Sequence, residues 1–284
     1  MKTIRLILTV IFTYFLFRYF VIYEVMPKYD FRASVDLAAK KLLDHLKPGD
    51  IKTLILGDSA LQSGLIPENI SPGTYNFSTY AADPRLMLHE YKKIMQKNQR
   101  PLTCLITGTF YTYELRYVDD LFFKVHFFFD YYDWSEAVQM YNESKREGTF
   151  PARDLSPLEY YLKLTAAKLK FYGLGFSQLQ SALWKVPGSY PMQRVSEISY
   201  ATRGFAPIER KRFDDGLNDK YFAREFNPEL TFDLYLNRLI EEGASAGAKV
   251  IFVMLPVYLG PGSEREAKYL NDLEKFMTAK QSRL

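Results

Sequence analysis

A serine that directly follows a glycine and an aspartate is the residue of this chain with the clearest chemical potential. Gly57, Asp58 and Ser59 come after the apolar run Thr53-Leu54-Ile55-Leu56. This order predicts a buried strand, a tight turn and a helix that begins at Ser59. Such a serine lies at the carboxyl edge of a parallel sheet, near backbone N–H groups that can hold an oxyanion. The triplet by itself favours an Asp/Ser N-cap that merely closes a turn, and a serine nucleophile whose turn Asp58 orients is the alternative that the surrounding sequence supports.

Three later segments extend this pattern. Tyr75 to Pro84 predicts a short strand and a turn, and Asp83 is the predicted N-cap of the next helix. Leu102 to Phe110 and Lys249 to Tyr258 predict two further buried strands. Together with the Gly-Asp-Ser turn, these segments resemble the sequence blocks of the GDSL/SGNH hydrolase superfamily. More narrowly, they resemble its membrane-anchored acyltransferase-like branch, which acts on cell-envelope polymers of bacteria.

The resemblance implies an α/β fold for residues 51–284. We expect a three-layer α/β/α sandwich of the SGNH or flavodoxin-like type, with a mostly parallel sheet. Residues 27–50 are predicted to connect this domain to an N-terminal anchor. A long insertion, at about 111–227, carries many aromatic residues and apolar residues at helical spacing. It predicts a helical subdomain with its own aromatic core, or a lid whose surface faces acyl chains, sugars or a membrane.

The resemblance also implies where an oxyanion would bind. Backbone N–H groups of Ser59 and near Ala81 would donate to the oxyanion, beside Gly57, while Gly108 would allow close approach of the substrate. The second block lacks the glycine that the family has in this turn. Phe110 occupies the position of the family's asparagine, and its side chain cannot donate a hydrogen bond.

The base that would activate the serine is missing from its expected place. The family supplies a histidine from an Asp-x-x-His motif near the C-terminus, but no histidine follows Pro256. A serine without a base is a poor nucleophile, because its proton has no acceptor. We expect either a sequence that stops before this element or a non-catalytic relative. The three histidines, His45, His89 and His126, are assigned structural or surface positions.

The N-terminal residues 1–26 predict a membrane anchor. The run from Ile4 to Tyr23 is almost wholly apolar or aromatic, and about 20 helical residues span the ~30 Å core of a bilayer. Lys2 and Arg5 favour a cytoplasmic N-terminus. We therefore predict one uncleaved transmembrane helix with the main domain outside the cytoplasm, in the periplasm or at the cell surface. A cleaved signal peptide and a buried helix are the alternatives.

Composition limits the other classes of function. The net charge of +4 is small for 284 residues and no basic stripe is present, so nucleic-acid binding has no support. Cys104 is the single cysteine, which leaves no internal disulfide. The sequence has neither a zinc-binding pattern nor a glycine-rich phosphate loop, and we predict no metal and no cofactor.

Two functions remain. The first is a membrane-anchored SGNH-like serine acyltransferase or esterase that acts on acyl esters of cell-envelope glycans or polymers. The second is a catalytically inactive relative that assembles or scaffolds envelope proteins. The intact Gly-Asp-Ser turn favours the enzyme, whereas Phe110 and the missing histidine favour the scaffold.

Overall fold

The computed structural model describes residues 2–20, 31–79, 82–108, 123, 127, 131–168, 192–205, 230–253 and 264–281. In these ranges the chain is an α/β protein with one four-stranded, all-parallel sheet. The strands are β1 (Thr53–Gly57), β2 (Thr74–Asn76), β3 (Cys104–Gly108) and β4 (Lys249–Phe252). Their order across the sheet is β2-β1-β3-β4, so β1 and β3 are flanked on both sides. The predicted α/β class and the parallel sheet are confirmed.

The helices alternate with the strands, as parallel strands require. They are α1 (Lys2–Phe20), α2 (Phe31–His45), α3 (Ser59–Gly64), α4 (Pro84–Asn98), α5 (Trp134–Glu147), α6 (157–168), α7 (Met192–Ala201), α8 (Leu230–Ser245) and α9 (Glu264–Gln281). A short 3₁₀ turn, Pro67–Asn69, follows α3. Helices α5, α6 and α7 belong to the predicted insertion between β3 and β4, and the described part of this insertion is mainly helical.

Apolar side chains cover both faces of the sheet. Successive residues of a strand point to opposite faces, so β1, β3 and β4 contribute to two clusters. Leu54, Leu56, Leu105 and Val250 belong to a large core that also includes residues of α4 and α8. On the other face Ile55 and Ile106 form a smaller cluster with Leu61 of α3. The two faces explain why the strands are apolar along their whole length.

Helix α4 begins where the sequence predicted. The Asp83 side chain accepts hydrogen bonds from the backbone N–H groups of Arg85 (2.9 Å) and Leu86 (3.1 Å). Pro84 fills the first helical position, where its missing N–H needs no partner. This cap fixes the end of the segment that leads away from β2.

The turn after α7 covers the outer edge of β2. The backbone N–H of Asn76 donates to the carbonyl of Arg203 (2.8 Å), and α7 itself packs against α2. Gly204 has a φ of +106°, and a Cβ there would overlap the Asn76 carbonyl oxygen. Glycine is therefore needed at this position, and β2 has a backbone partner on its second side.

Helix α1 exposes apolar side chains all around its axis. The exposed fraction of its large apolar side chains runs from 40% at Phe17 to 68% at Phe12. The predicted transmembrane helix finds no support in the described part of the chain, where no helix is both long and apolar enough to cross a membrane. One contact ties α1 to the insertion: the Tyr14 hydroxyl donates to the carbonyl of Lys168, at the end of α6 (3.1 Å).

Candidate active site at the carboxyl edge of the sheet

The Gly-Asp-Ser turn lies at the carboxyl end of the central strand β1. Asp58 is the N-cap of α3, and its carboxylate accepts the backbone N–H of Ala60 (2.9 Å). Its side chain is buried, with 4% of the residue exposed. Ser59 is the first residue of α3 and is half-buried. The aspartate thus caps α3 and holds the turn, which agrees both with a structural N-cap and with a serine nucleophile, and the serine stays within reach of solvent.

Glycine at position 57 serves close packing. Gly57 pairs with Gly108 across the parallel strands β1 and β3. A Cβ on Gly57 would lie 2.6 Å from the Gly108 carbonyl oxygen and would overlap the Leu61 side chain of α3. A Cβ on Gly108 would overlap the backbone of Val253, just after β4. The two glycines let α3 and the ends of three strands converge beside Ser59.

The segment after β2 continues alongside β1 and reaches the turn. The backbone N–H of Phe77 donates to the carbonyl oxygen of Ile55 (2.9 Å), and the backbone N–H of Thr79 donates to the carbonyl oxygen of Gly57 (2.9 Å). Thr79 is therefore fixed next to the turn by a backbone hydrogen bond. Ala81, the predicted source of an oxyanion donor, lies outside the described residues, and its role stays a prediction.

Asn76 holds the far end of α3. Its amide donates to the carbonyls of Leu61 (3.0 Å) and Leu65 (3.2 Å), and its oxygen accepts the backbone N–H of Ser78 (3.0 Å). No local pattern predicts this role of Asn76, because its partners lie 11 and 15 residues earlier in the chain. A buried asparagine thereby orients the short helix that carries the serine.

Three buried polar atoms beside the turn have no hydrogen-bond partner among the described residues: Gln62 Oε1, Ser78 Oγ and Thr79 Oγ1. The amide of Gln62 donates to the Ser78 carbonyl (2.6 Å), so these residues adjoin one another. Buried polar atoms are nearly always paired in folded proteins. The carboxyl edge around Ser59 therefore has hydrogen-bonding capacity that the described protein groups do not use.

The two histidines in the described ranges, His45 on α2 and His89 on α4, contact residues of their own surroundings. His45 ends α2, and its Nδ1 lies 2.7 Å from the carbonyl oxygen of Lys41. His89 lies in α4 with its ring 4.6 Å from that of Tyr132 and its Nε2 3.3 Å from Glu136. Burial, followed by the charge of Lys93, lowers the pKa of His89 to about 4, so the ring is neutral near pH 7.

Phe110 and His126 fall outside the described residues, so the predictions made for them stay predictions. Within the described ranges, no group of three or more His, Cys, Asp or Glu side chains is arranged to hold a metal ion. The arrangement at the turn offers a hydroxyl, backbone N–H groups and buried polar oxygens. These are groups suited to binding and attacking a polar carbonyl compound.

Comparison with known proteins identifies no relative: no family model matches the chain, and no curated protein or solved structure matches it significantly.

Proposed function

We propose that this protein is an SGNH-like serine acyltransferase or esterase, attached to a membrane, that acts on acyl esters of cell-envelope glycans or polymers. The observation that carries the proposal is the position of Ser59, half-buried at the carboxyl end of a central parallel strand. Ligands of open α/β sheets bind at this edge. The three-layer, flavodoxin-like arrangement is part of the same proposal and is supported by apolar clusters on both faces of the sheet.

In the proposed reaction, the Ser59 hydroxyl oxygen attacks the ester carbonyl and loses its proton to a base. The ester C–O bond then breaks, the alcohol leaves with a proton, and an acyl group remains on Ser59. Attack by a glycan hydroxyl or by water releases the acyl group and restores the serine. The backbone N–H groups of Ser59 and near Ala81 would bind the oxyanion, and Asp58 would hold the turn.

A second candidate function is a catalytically inactive assembly or scaffolding protein of the envelope. It is favoured by the contacts of His45 and His89, whose rings are engaged by Lys41, Tyr132 and Glu136. A serine that lacks a base loses several orders of magnitude in rate. The intact Gly-Asp-Ser turn, with Ser59 half-buried at the carboxyl edge of the sheet, favours the enzyme instead.

The membrane attachment is proposed for α1. It is supported by the exposed apolar side chains along this helix, since contiguous apolar surface of this kind marks an interaction site. The location in the cell envelope rests on the sequence resemblance.

Turnover of a soluble acyl ester, such as p-nitrophenyl acetate, tests the enzyme directly. Ser59→Ala should lower the rate by about a thousandfold or more, because the nucleophile is removed. Ser63→Ala is a matched control, since Ser63 lies one turn further along α3 and its hydroxyl is buried without a partner in the described ranges. Equal rates for the Ser59→Ala variant and the wild type would exclude Ser59 as the nucleophile. A wild type without turnover would favour the scaffold.

A further inference from the structure

Helix α6 has two apolar faces. One is buried in the protein core and consists of Tyr160, Leu164 and Ala167. The other is exposed, with exposed fractions of 69% for Leu158, 59% for Leu162 and 36% for Tyr161. We call the exposed set, Leu158, Tyr161 and Leu162, the outer stripe.

The outer stripe lies on the side of α6 opposite the core. At 3.6 residues per turn, residues 158, 161 and 162 fall within one third of the helix circumference, and 160, 164 and 167 fall on the other side. A helix at a protein surface needs only one apolar face. A second apolar face therefore indicates a second apolar environment.

The position of α1 indicates what this environment is. The Tyr14 hydroxyl of α1 donates to the carbonyl of Lys168 at the end of α6 (3.1 Å). The two helices that expose rows of apolar side chains are thus joined by a hydrogen bond. A layer that covers the apolar surface of α1 would reach the neighbouring end of α6.

Aromatic and cationic groups of the insertion lie at the same place. The Lys168 ammonium lies 4.2 Å from the centre of the Phe127 ring, and the ring of Trp134 packs edge-on against Phe127 (5.1 Å). Trp134 begins α5 and is 46% exposed. Lys168 is half-buried, and its ammonium also donates to the Phe127 carbonyl (2.5 Å). An exposed tryptophan beside apolar residues is typical of surfaces that lie at the boundary of a bilayer.

We propose that the outer stripe of α6, together with Trp134, inserts into the lipid surface that binds α1. This proposal rests on the proposed membrane attachment of α1. It makes the insertion a second membrane contact, which would fix the orientation of the domain on the bilayer.

Quenching of tryptophan fluorescence by brominated lipid tests this contact on the full chain. Trp134 and Trp184 are replaced by phenylalanine, and one tryptophan is introduced at a time as Phe12→Trp, Leu158→Trp or Ile70→Trp. Phe12 reports on α1, and Ile70 is a matched control because it is an exposed apolar residue (41%) beside the 3₁₀ turn, away from α6 in sequence. Each variant is bound to vesicles of phosphatidylcholine and phosphatidylglycerol, with or without brominated acyl chains.

We expect brominated lipid to reduce the emission of Phe12→Trp and Leu158→Trp about two-fold, and to leave Ile70→Trp unchanged. Quenching of Phe12→Trp without quenching of Leu158→Trp would overturn the second contact and leave the attachment of α1 standing. The absence of quenching in both would overturn both proposals. Blue-shifted but unquenched emission of Leu158→Trp would assign the outer stripe to a second copy of the chain and contradict a lipid contact.

Discussion

The Gly-Asp-Ser turn and the start of α4 both contain buried polar groups, and these groups have different roles in the two regions. At the Gly-Asp-Ser turn, backbone hydrogen bonds and close glycine packing hold a half-buried serine at the edge of the sheet. At the start of α4, Arg85 and Asp83 form an ion pair that is almost completely buried, with 2.5 Å between Arg85 Nη2 and Asp83 Oδ2. The first region is accessible and has few charges. The second is charged and closed.

The buried ion pair joins α4 to the insertion. The guanidinium of Arg85 lies 5.1 Å from the centre of the Phe150 ring. Burial raises the pKa of Tyr235 to about 12 and that of Tyr132 well above its ordinary range, although the nearby Arg85 opposes both shifts. These tyrosines come from α8 and from the segment before α5, so the cluster connects three parts of the chain.

In this protein, shifted pKa values do not by themselves mark the site of a reaction. Such shifts are often taken as signs of function. Here the groups with shifted pKa values are buried, since the exposed fraction is 2% for Arg85 and Tyr132 and 5% for Tyr235. We conclude that the buried cluster of Asp83, Arg85, Tyr132, Phe150 and Tyr235, called the Arg85 cluster, holds the insertion against α4. The turn at Ser59 is the polar region that solvent can reach. Substitutions in each region test this division between a structural cluster and an accessible turn.

The largest effect on stability is expected at the buried ion pair. Arg85→Met leaves the Asp83 carboxylate buried without its cation, which should cost about 3–5 kcal/mol in the free energy of unfolding. Urea denaturation measures this change. The double variant Asp83→Asn/Arg85→Met should recover much of the loss, because it removes both charges and keeps an acceptor at the N-cap. A single variant as stable as the wild type would show that the cluster does not fasten the insertion.

A smaller effect is expected at the turn itself. Gly57→Ala places a methyl group 2.6 Å from the Gly108 carbonyl oxygen, and separating the strands should cost about 1–3 kcal/mol. The change should also lower the reactivity of Ser59, since α3 must shift. Gly148→Ala is the comparison, because a Cβ there meets no atom within 4 Å and its cost comes only from a φ of +65°. Unchanged reactivity of Ser59 in Gly57→Ala would mean that the close packing does not position the serine.

A third effect on stability depends on pH and concerns His89. Its pKa in the folded protein is about 4, below the ordinary 6.5, so the unfolded chain takes up a proton first as pH falls. The resulting stability is fully present above about pH 6.5 and is lost as pH falls to about 4. His89→Gln should therefore lose less stability than the wild type between these values, as measured by urea denaturation at several pH values. Parallel curves of stability against pH for the two proteins would show that folding does not shift the pKa of His89.

Local patterns predicted much of the fold. The strand before Gly57, the Asp58 turn, and the start of α4 at Asp83 and Pro84 each depend on neighbouring residues, so the sequence alone was sufficient. The close packing of Gly108 against the Val253 backbone was not predicted, and the role of Gly108 toward a substrate stays a prediction. That contact depends on strand order, which no local pattern specifies.

Long-range pairings explain what the sequence did not predict. The Asn76 amide bonds to α3, and Arg85 packs on Phe150, which lies 65 positions further along the chain. The insertion was predicted to have its own aromatic core or to form a lid, whereas Phe150 and Tyr160 belong to the same apolar cluster as Leu54 of β1. The contact of Phe150 with a buried cation at the start of α4 was not predicted. Buried polar residues such as Asn76 and Arg85 follow no periodic pattern in the sequence, because the tertiary structure determines their partners.

Covalent labelling of Ser59 tests the central claim most directly. A fluorophosphonate probe reacts with a serine that is already activated, and peptide mass spectrometry identifies the labelled residue. We predict one adduct per chain on the peptide that contains Ser59, its loss in Ser59→Ala, and its retention in Ser63→Ala and in the Asp83→Asn/Arg85→Met variant. A folded wild-type protein that remains unlabelled, or that is labelled at another serine, would contradict the assignment of Ser59 as the nucleophile.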